Sequence, residues 1–167
     1  ALVSVYHKSS HAQHIIDRFL EGYGWKGRHH HPDMDLVSLY VDQITRGPSE
    51  ATKEEQCDLS SERALRFPQL EIYPSIADAL TQGSSQLTVD GVLLVAEHGD
   101  YPSNEKGQTL WPRYEFFQQM TAVFRTTRRS VPVFIDKHLS WDWNKAREMY
   151  DVSKKLNFPL MAGSSLP

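Results

Sequence analysis

Stretches of near-continuous apolar residues occupy positions 1–6, 36–41, 70–73, 89–96, 131–136 and 158–162. Runs of this kind suit strands that are covered on both faces. Between several of them the apolar positions shift to a spacing of three and four. Residues 11–21 place Ile15, Ile16, Phe19 and Leu20 on one side, and residues 113–126 do the same with Phe116, Phe117, Met120, Val123 and Phe124; both spacings are helical. Ser75, with Asp78 three residues on, marks a helix over 75–82, and Pro112 suits a first helical turn. A last helix, from 143 to about 156, is predicted to bury Ala146, Met149, Tyr150 and Ser153. Strand–helix alternation with short connections predicts an α/β fold, namely a doubly wound, mainly parallel Rossmann-like sheet with helices on both faces and right-handed crossovers. The polar stretches 47–61 and 83–86 read as surface loops.

Length and charge narrow the partners. A chain of 167 residues can bury one sizeable core, so 1–167 is read as one Rossmann-like domain. It opens without a methionine on a strand-like run and stops just after another, which predicts a second, C-terminal domain outside this sequence. With 18 basic and 21 acidic residues, a net charge of -3 gives no cationic excess to neutralise phosphates, so nucleic acid is not an expected partner. No apolar run reaches about 18 residues and no signal-peptide pattern opens the chain, which predicts a soluble domain, cytoplasmic by default, with no membrane partner. Cys57, the single cysteine, sits among Glu54, Glu55 and Asp58 and is read as an incidental thiol.

In an open α/β sheet, ligands bind beyond the carboxyl ends of the strands. The first strand delivers His7, Lys8, Ser9, Ser10 and His11; the second Asp42; the fourth Glu97, His98, Gly99, Asp100 and Tyr101; the fifth Asp136, Lys137 and His138; the sixth Ser164 and Ser165. For a nucleotide, Asp42 can accept hydrogen bonds from ribose hydroxyls, or merely cap a neighbouring helix. The helix starting near Ser10 can present N–H groups to a pyrophosphate, and His7, Ser9, Ser10 and Glu97 complete the candidate cofactor contacts. The first turn lacks the glycines of G-x-G-x-x-G, so Lys8 and the serines would hold a phosphate further from the backbone.

On these residues the chain resembles the N-terminal dinucleotide-binding domain of the Gfo/Idh/MocA oxidoreductases, over most of its length and most closely from Leu70 onward. The places of the family's motifs are taken by Asp42, by the short strand and helix of 72–80, by the strand 89–95 with His98 after it, by Asp136-Lys137-His138, and by the closing segment 155–163. The resemblance implies NAD or NADP as cofactor and hydride transfer from the hydroxyl carbon of a small molecule such as a sugar or polyol. It implies Lys137 as the group that polarises or deprotonates the hydroxyl, with His98 or His138 assisting proton movement and Asp136 tuning the lysine. A homo-oligomer formed through the second domain is also implied. Two departures stand out: Asp-Lys-His replaces Glu-Lys-Pro, and residues 22–32 lengthen the first crossover.

A rival reading starts from the eight histidines. His7, His98 and His138, with Glu97, Asp100 and Asp136 nearby, offer ligands suited to a divalent metal such as zinc or manganese, and a metal-assisted hydrolase or lyase would follow. No compact metal motif supports it, since these ligands come from separate strands. His29, His30 and His31 read as a solvent-facing loop. A third reading is a non-catalytic Rossmann module kept for binding or assembly. In either case Lys137 has a plain alternative, a structural ion pair with Asp136 or Glu97.

Overall fold

In the computed structural model, which describes residues 1–45 and 57–163, the apolar runs form a sheet and the periodic segments form helices. The elements are β1 (Leu2–Val3), α1 (His11–Leu20), β2 (Tyr23–Trp25), β3 (Arg28–His30), β4 (Ser38–Val41), α2 (Ser60–Arg66), β5 (Glu71–Ile72), α3 (Ile76–Thr81), β6 (Val92–Val95), α4 (Arg113–Thr127), β7 (Val133–Asp136), α5 (Trp143–Lys155) and β8 (Leu160–Gly163). Six strands make one sheet in the order β5-β4-β1-β6-β7-β8, with every neighbouring pair parallel. This is the doubly wound order, in which the winding reverses between the first and fourth strands of the sheet, here β1 and β6.

Pleating sends successive side chains to opposite faces, and each face finds its own cover. Leu2, Leu94, Val133 and Ile135 meet Ile76 and Leu80 of α3, Phe116, Phe117 and Met120 of α4, and Met149 of α5. Val3, Val95, Leu39 and Val41 meet Ala12, Ile15, Ile16 and Leu20 of α1. The helix starts follow from side-chain caps: Ser10 accepts from the Gln13 N–H, Ser75 from Asp78 and Asp142 from Lys145. No described helix is long and apolar enough to cross a membrane.

Three details differ from the sequence pattern. Residues 22–32 are not only a longer crossover. Tyr23–Trp25 and Arg28–His30 pair as an antiparallel hairpin, so His29 and His30 lie in a strand rather than a loop. Lys26 (φ 49°) and Gly27 (φ 73°) make its turn, the left-handed pair that a tight hairpin needs. The polar stretch 47–61 ends in a helix, since α2 begins at Ser60; residues 47–56 of it lie outside the described residues. On α5 the buried side chains are Met149 and Ser153, while Tyr150 is exposed with Lys154 over its ring.

Because the sheet is parallel, all six strands open at one edge. The loops after β1, β4, β6 and β7 therefore share that edge.

Candidate functional site

Under this edge lies a set of anchors that hold the loops. Tyr6, fully buried at the end of the first apolar run, donates to Asp17 Oδ1 of α1 at 2.6 Å, and Asp17 also takes two hydrogen bonds from Arg63 at 2.8 and 2.9 Å. Burial, and then Asp17, push the Tyr6 phenol well above its usual pKa. Ser4 donates to the backbone oxygen of Glu97 at 2.7 Å, tying the loop after β6 to β1.

Among the described residues, seven other than glycine have positive φ. Gln82 and Arg128 cap helices, Asn157 follows α5 and Lys26 makes the hairpin turn. The other three, Ser9 (65°), His98 (66°) and Lys137 (69°), stand at the site edge, one on each of the loops after β1, β6 and β7. Left-handed backbone at a residue other than glycine is strained, and such strain collects where a side chain must be aimed. The Lys137 N–H is held by the Gly163 carbonyl at 2.8 Å.

Next to Lys137 in the chain, Asp136 belongs to a buried ionic cluster. Asp136 is 0% exposed, and its Oδ2 is 2.7 Å from His11 Nδ1. Arg113, at 1% exposure, donates through Nη2 to the Glu97 carboxylate and through Nε to the Asp136 carbonyl at 3.3 Å. A carboxylate and a guanidinium persist at this depth only when paired. Burial holds the Arg113 pKa below its usual value, against the pull of Glu97 and Asp136. Three imidazoles gather above: His98 lies 5.1 Å from His11 and 6.0 Å from His7, ring centre to ring centre, with Trp111 at 6.5 Å. Burial, then the neighbouring His11, lower the His98 pKa; burial, then Arg113, lower that of His138. The charge of Lys137 bears on both imidazoles. Two buried nitrogens, His98 Nδ1 and Arg113 Nη1, have no hydrogen-bond partner among the described residues.

The β4 side of the edge is arranged differently. Asp42 is exposed, and both its oxygens are engaged, Oδ1 by the Tyr40 hydroxyl at 2.7 Å and Oδ2 by the Tyr101 hydroxyl at 2.8 Å. Burial and then Asp42 push the Tyr40 phenol up to about 12 and the Tyr101 phenol further still. Gln43 exchanges two hydrogen bonds with the backbone of Asp100, at 2.8 and 3.0 Å.

The expected catalytic set, Lys137, His98, His138 and Asp136, thus shares one edge with His7, Ser9, Ser10, Asp42 and Glu97. Asp136 and Glu97 sit in the ionic cluster, and His7 meets His98. Ser10 is fully buried as the cap of α1, and His138 is exposed. Ser164 and Ser165 lie outside the described residues. Asp42 caps no helix; it holds two tyrosines. Among the described residues, the ligand-type atoms that come within 4.8 Å of one another are those of His11, Glu97 and Asp136, and not those of the trio His7, His98 and His138. Both carboxylates of that group are already engaged, by His11 and by Arg113. The sequence assigns no site role to His11, Arg113 or Tyr101. His11 and Tyr101 lie in strand-end runs and Arg113 directly follows Pro112 at a helix start, but nothing in the sequence marks His11 or Arg113 as partners of a buried cluster.

No protein-family model matches this sequence, nor does any curated protein. Solved structures do. A dehydrogenase, MviM, from Clostridium difficile is 17% identical with a TM-score of 0.51, over 97% of this chain and 38% of that one. A super-repressor mutant of Gal80p from Saccharomyces cerevisiae is 12% identical with a TM-score of 0.56, over 95% and 32%. GenD2 from gentamicin A biosynthesis, solved in complex with NAD, is 16% identical with a TM-score of 0.55, over 97% and 34%. The chain spans about a third of the length of these proteins. At such identities the likeness is one of fold, and this chain shares the parallel, doubly wound α/β architecture of these proteins.

Proposed function

We propose that this chain is the dinucleotide-binding domain of an NAD(P)-linked oxidoreductase acting on the hydroxyl carbon of a sugar or polyol. The observation that carries it is the placement of Lys137. It directly follows the buried Asp136 in a left-handed conformation at the end of β7, with its charge felt by His98 and His138, on the ligand-binding edge of a sheet wound in the dinucleotide-binding order. That NAD is bound by GenD2, which has this fold, supports the reading.

The residues fit such a cofactor. Ser9 adopts the backbone conformation for which a first-turn glycine is ordinarily needed, so the approach to α1 survives without one. The N-terminus of α1, with His7 and Ser9 beside it, would hold the pyrophosphate, and Asp42 would accept the ribose hydroxyls. The orphaned nitrogens His98 Nδ1 and Arg113 Nη1 are polar groups that occupancy of the crevice can satisfy. When bound, the nicotinamide would supply the hydride acceptor. Lys137 would donate a hydrogen bond to the substrate hydroxyl and polarise it, and His98, whose pKa burial lowers, would accept the hydroxyl proton. His11 and Asp136 would keep the floor of the site rigid. A second domain beyond this chain would enclose the substrate and carry the contacts of a homo-oligomer.

The direct test is isotopic: a polyol or sugar deuterated at the carbinol carbon is incubated with the protein and NAD or NADP, and the nicotinamide is assayed for deuterium. Transfer is expected. Lys137→Ala is expected to lower it by about 100- to 10,000-fold, with the circular dichroism spectrum unchanged. Undiminished transfer in that variant removes Lys137 from the mechanism. A protein that binds dinucleotide but transfers no label from any polyol is instead a non-catalytic module, a use that this fold permits.

A further inference from the structure

We propose that residues 99–101 form a self-inhibitory strap across the dinucleotide seat, and that the Tyr101–Asp42 hydrogen bond must open before the adenosine half of a dinucleotide can bind. The proposal rests on the reading of the crevice given above.

Three contacts define the strap. Tyr101 donates to Asp42 Oδ2 at 2.8 Å, occupying the carboxylate that would otherwise meet the ribose. Gln43, the next residue along, is locked to Asp100 by the reciprocal pair of hydrogen bonds, Nε2 to the carbonyl at 3.0 Å and the N–H to Oε1 at 2.8 Å. Gly99, with φ of +105°, lies so close beneath that a Cβ there would come within 2.7 Å of the Tyr101 ring, 2.9 Å of Gln43 Oε1 and 3.2 Å of Val5 Cγ1. Val5 lies two residues past the end of β1. The loop after β6 therefore passes over the end of β1 and fastens to the loop after β4, bridging the place where the sheet reverses its winding. That is the path a dinucleotide takes between its ribose and its pyrophosphate.

The strap is built to move as a unit. Gly99 at one end tolerates a wide range of backbone angles, and Pro102 at the other begins a separately closed turn, in which Asn104 takes hydrogen bonds from the Lys106 and Gln108 N–H groups. Its fastenings are a few hydrogen bonds at an exposed surface, in exchange for which a bound ribose offers equivalent hydroxyls to Asp42. A ligand able to replace the bonds of Tyr101 can shift the equilibrium toward the open form only by its preference for that form, so the strap lowers the apparent affinity in proportion to the fraction of molecules that are open.

The test is the affinity of NADH for wild-type protein and for Tyr101→Phe, measured by calorimetry. Emission of Trp111, 5.8 Å from the Tyr101 ring, is followed in a background where Trp25, Trp141 and Trp143 are Phe. Tyr101→Phe is expected to bind about tenfold more tightly, and NADH is expected to shift wild-type Trp111 emission toward that of the free variant. Gln43→Ala provides an independent opening mutation with the same expected sign. Equal affinity in wild type and both variants overturns the strap and leaves the crevice reading intact. NADH binding by none of the three overturns both.

Discussion

The two halves of the ligand-binding edge are held in opposite ways. On the β6–β7 side, charged groups are buried: Asp136 and Arg113 are almost wholly out of water, Glu97 and His11 complete their pairing, and His98 and Lys137 are fixed in strained backbone. On the β4 side, Asp42 is exposed and, among the described residues, held by tyrosine hydroxyls, and Gln43 by backbone groups across the crevice. The first half cannot rearrange without stranding a charge. The second can release its contacts to water at small loss. Rigidity is thus placed where a proton would be moved, and freedom where a ligand would enter.

The comparison is broken most severely at Arg113. Arg113→Ala leaves Glu97 and Asp136 without their buried cation and is expected to destabilise the fold by about 3–5 kcal/mol, read from urea unfolding; a loss near that of a surface substitution would mean that the cluster is not a buried ionic one. Gly99→Ala strikes the other half. A Cβ there meets the Tyr101 ring at 2.7 Å, and φ is +105°, so a smaller loss of about 1–3 kcal/mol is expected, with hydrogen exchange accelerated in 97–103 rather than in β7.

Acidity sharpens the contrast further. Burial lowers the folded-state pKa of His98 and of His138 below the ordinary histidine value of 6.5. The unfolded chain therefore takes up protons first, and stability falls as pH is lowered from about 6.5 through the depressed folded values. Melting temperature measured between pH 8 and 5 should decline less steeply below pH 6.5 in His98→Gln than in wild type. Parallel curves would place His98 in solvent. The smallest effect is reserved for the strap: Tyr101→Phe removes a hydrogen bond at an exposed carboxylate and is expected to change unfolding free energy by less than about 1 kcal/mol. A loss as large as that of Arg113→Ala would make the two halves equivalent.

Much of the sheet was legible because its strands are buried on both faces, which leaves continuous apolar runs such as that ending in Val92–Val95, and because Ser75 and the amphipathic face of α1 announce helices directly. The hairpin Tyr23–Trp25 and Arg28–His30 was not. It is largely exposed, so no inside–outside alternation marks it, and its Lys-Gly turn is a weaker signal than Asn-Gly. The helix Ser60–Arg66 is short and mostly polar, and α5 turns Met149 rather than Tyr150 inward, a difference of one residue that periodicity alone does not decide.

For the site, strand-end placement of His98, Asp136 and Lys137 could be read from the chain, since side chains at the ends of parallel strands must share an edge. Their partners could not. Arg113 is buried because Glu97 and Asp136, from two other strands, converge on it; as a sequence position it looks like any arginine at a helix start. Asp42 reads as a ribose acceptor at the end of its strand, and only the structure brings Tyr101 onto it from 59 residues away.

The location of the ligand seat is tested most directly by hydrogen exchange, comparing free protein with protein saturated with NADH or NADPH. Protection is expected after β1, β6 and β7, in residues 4–13, 97–98 and 136–138, with the hairpin 22–31 and the end of α5 unchanged. Protection confined to the hairpin, or none at saturating dinucleotide, would contradict a seat at the reversal of the sheet.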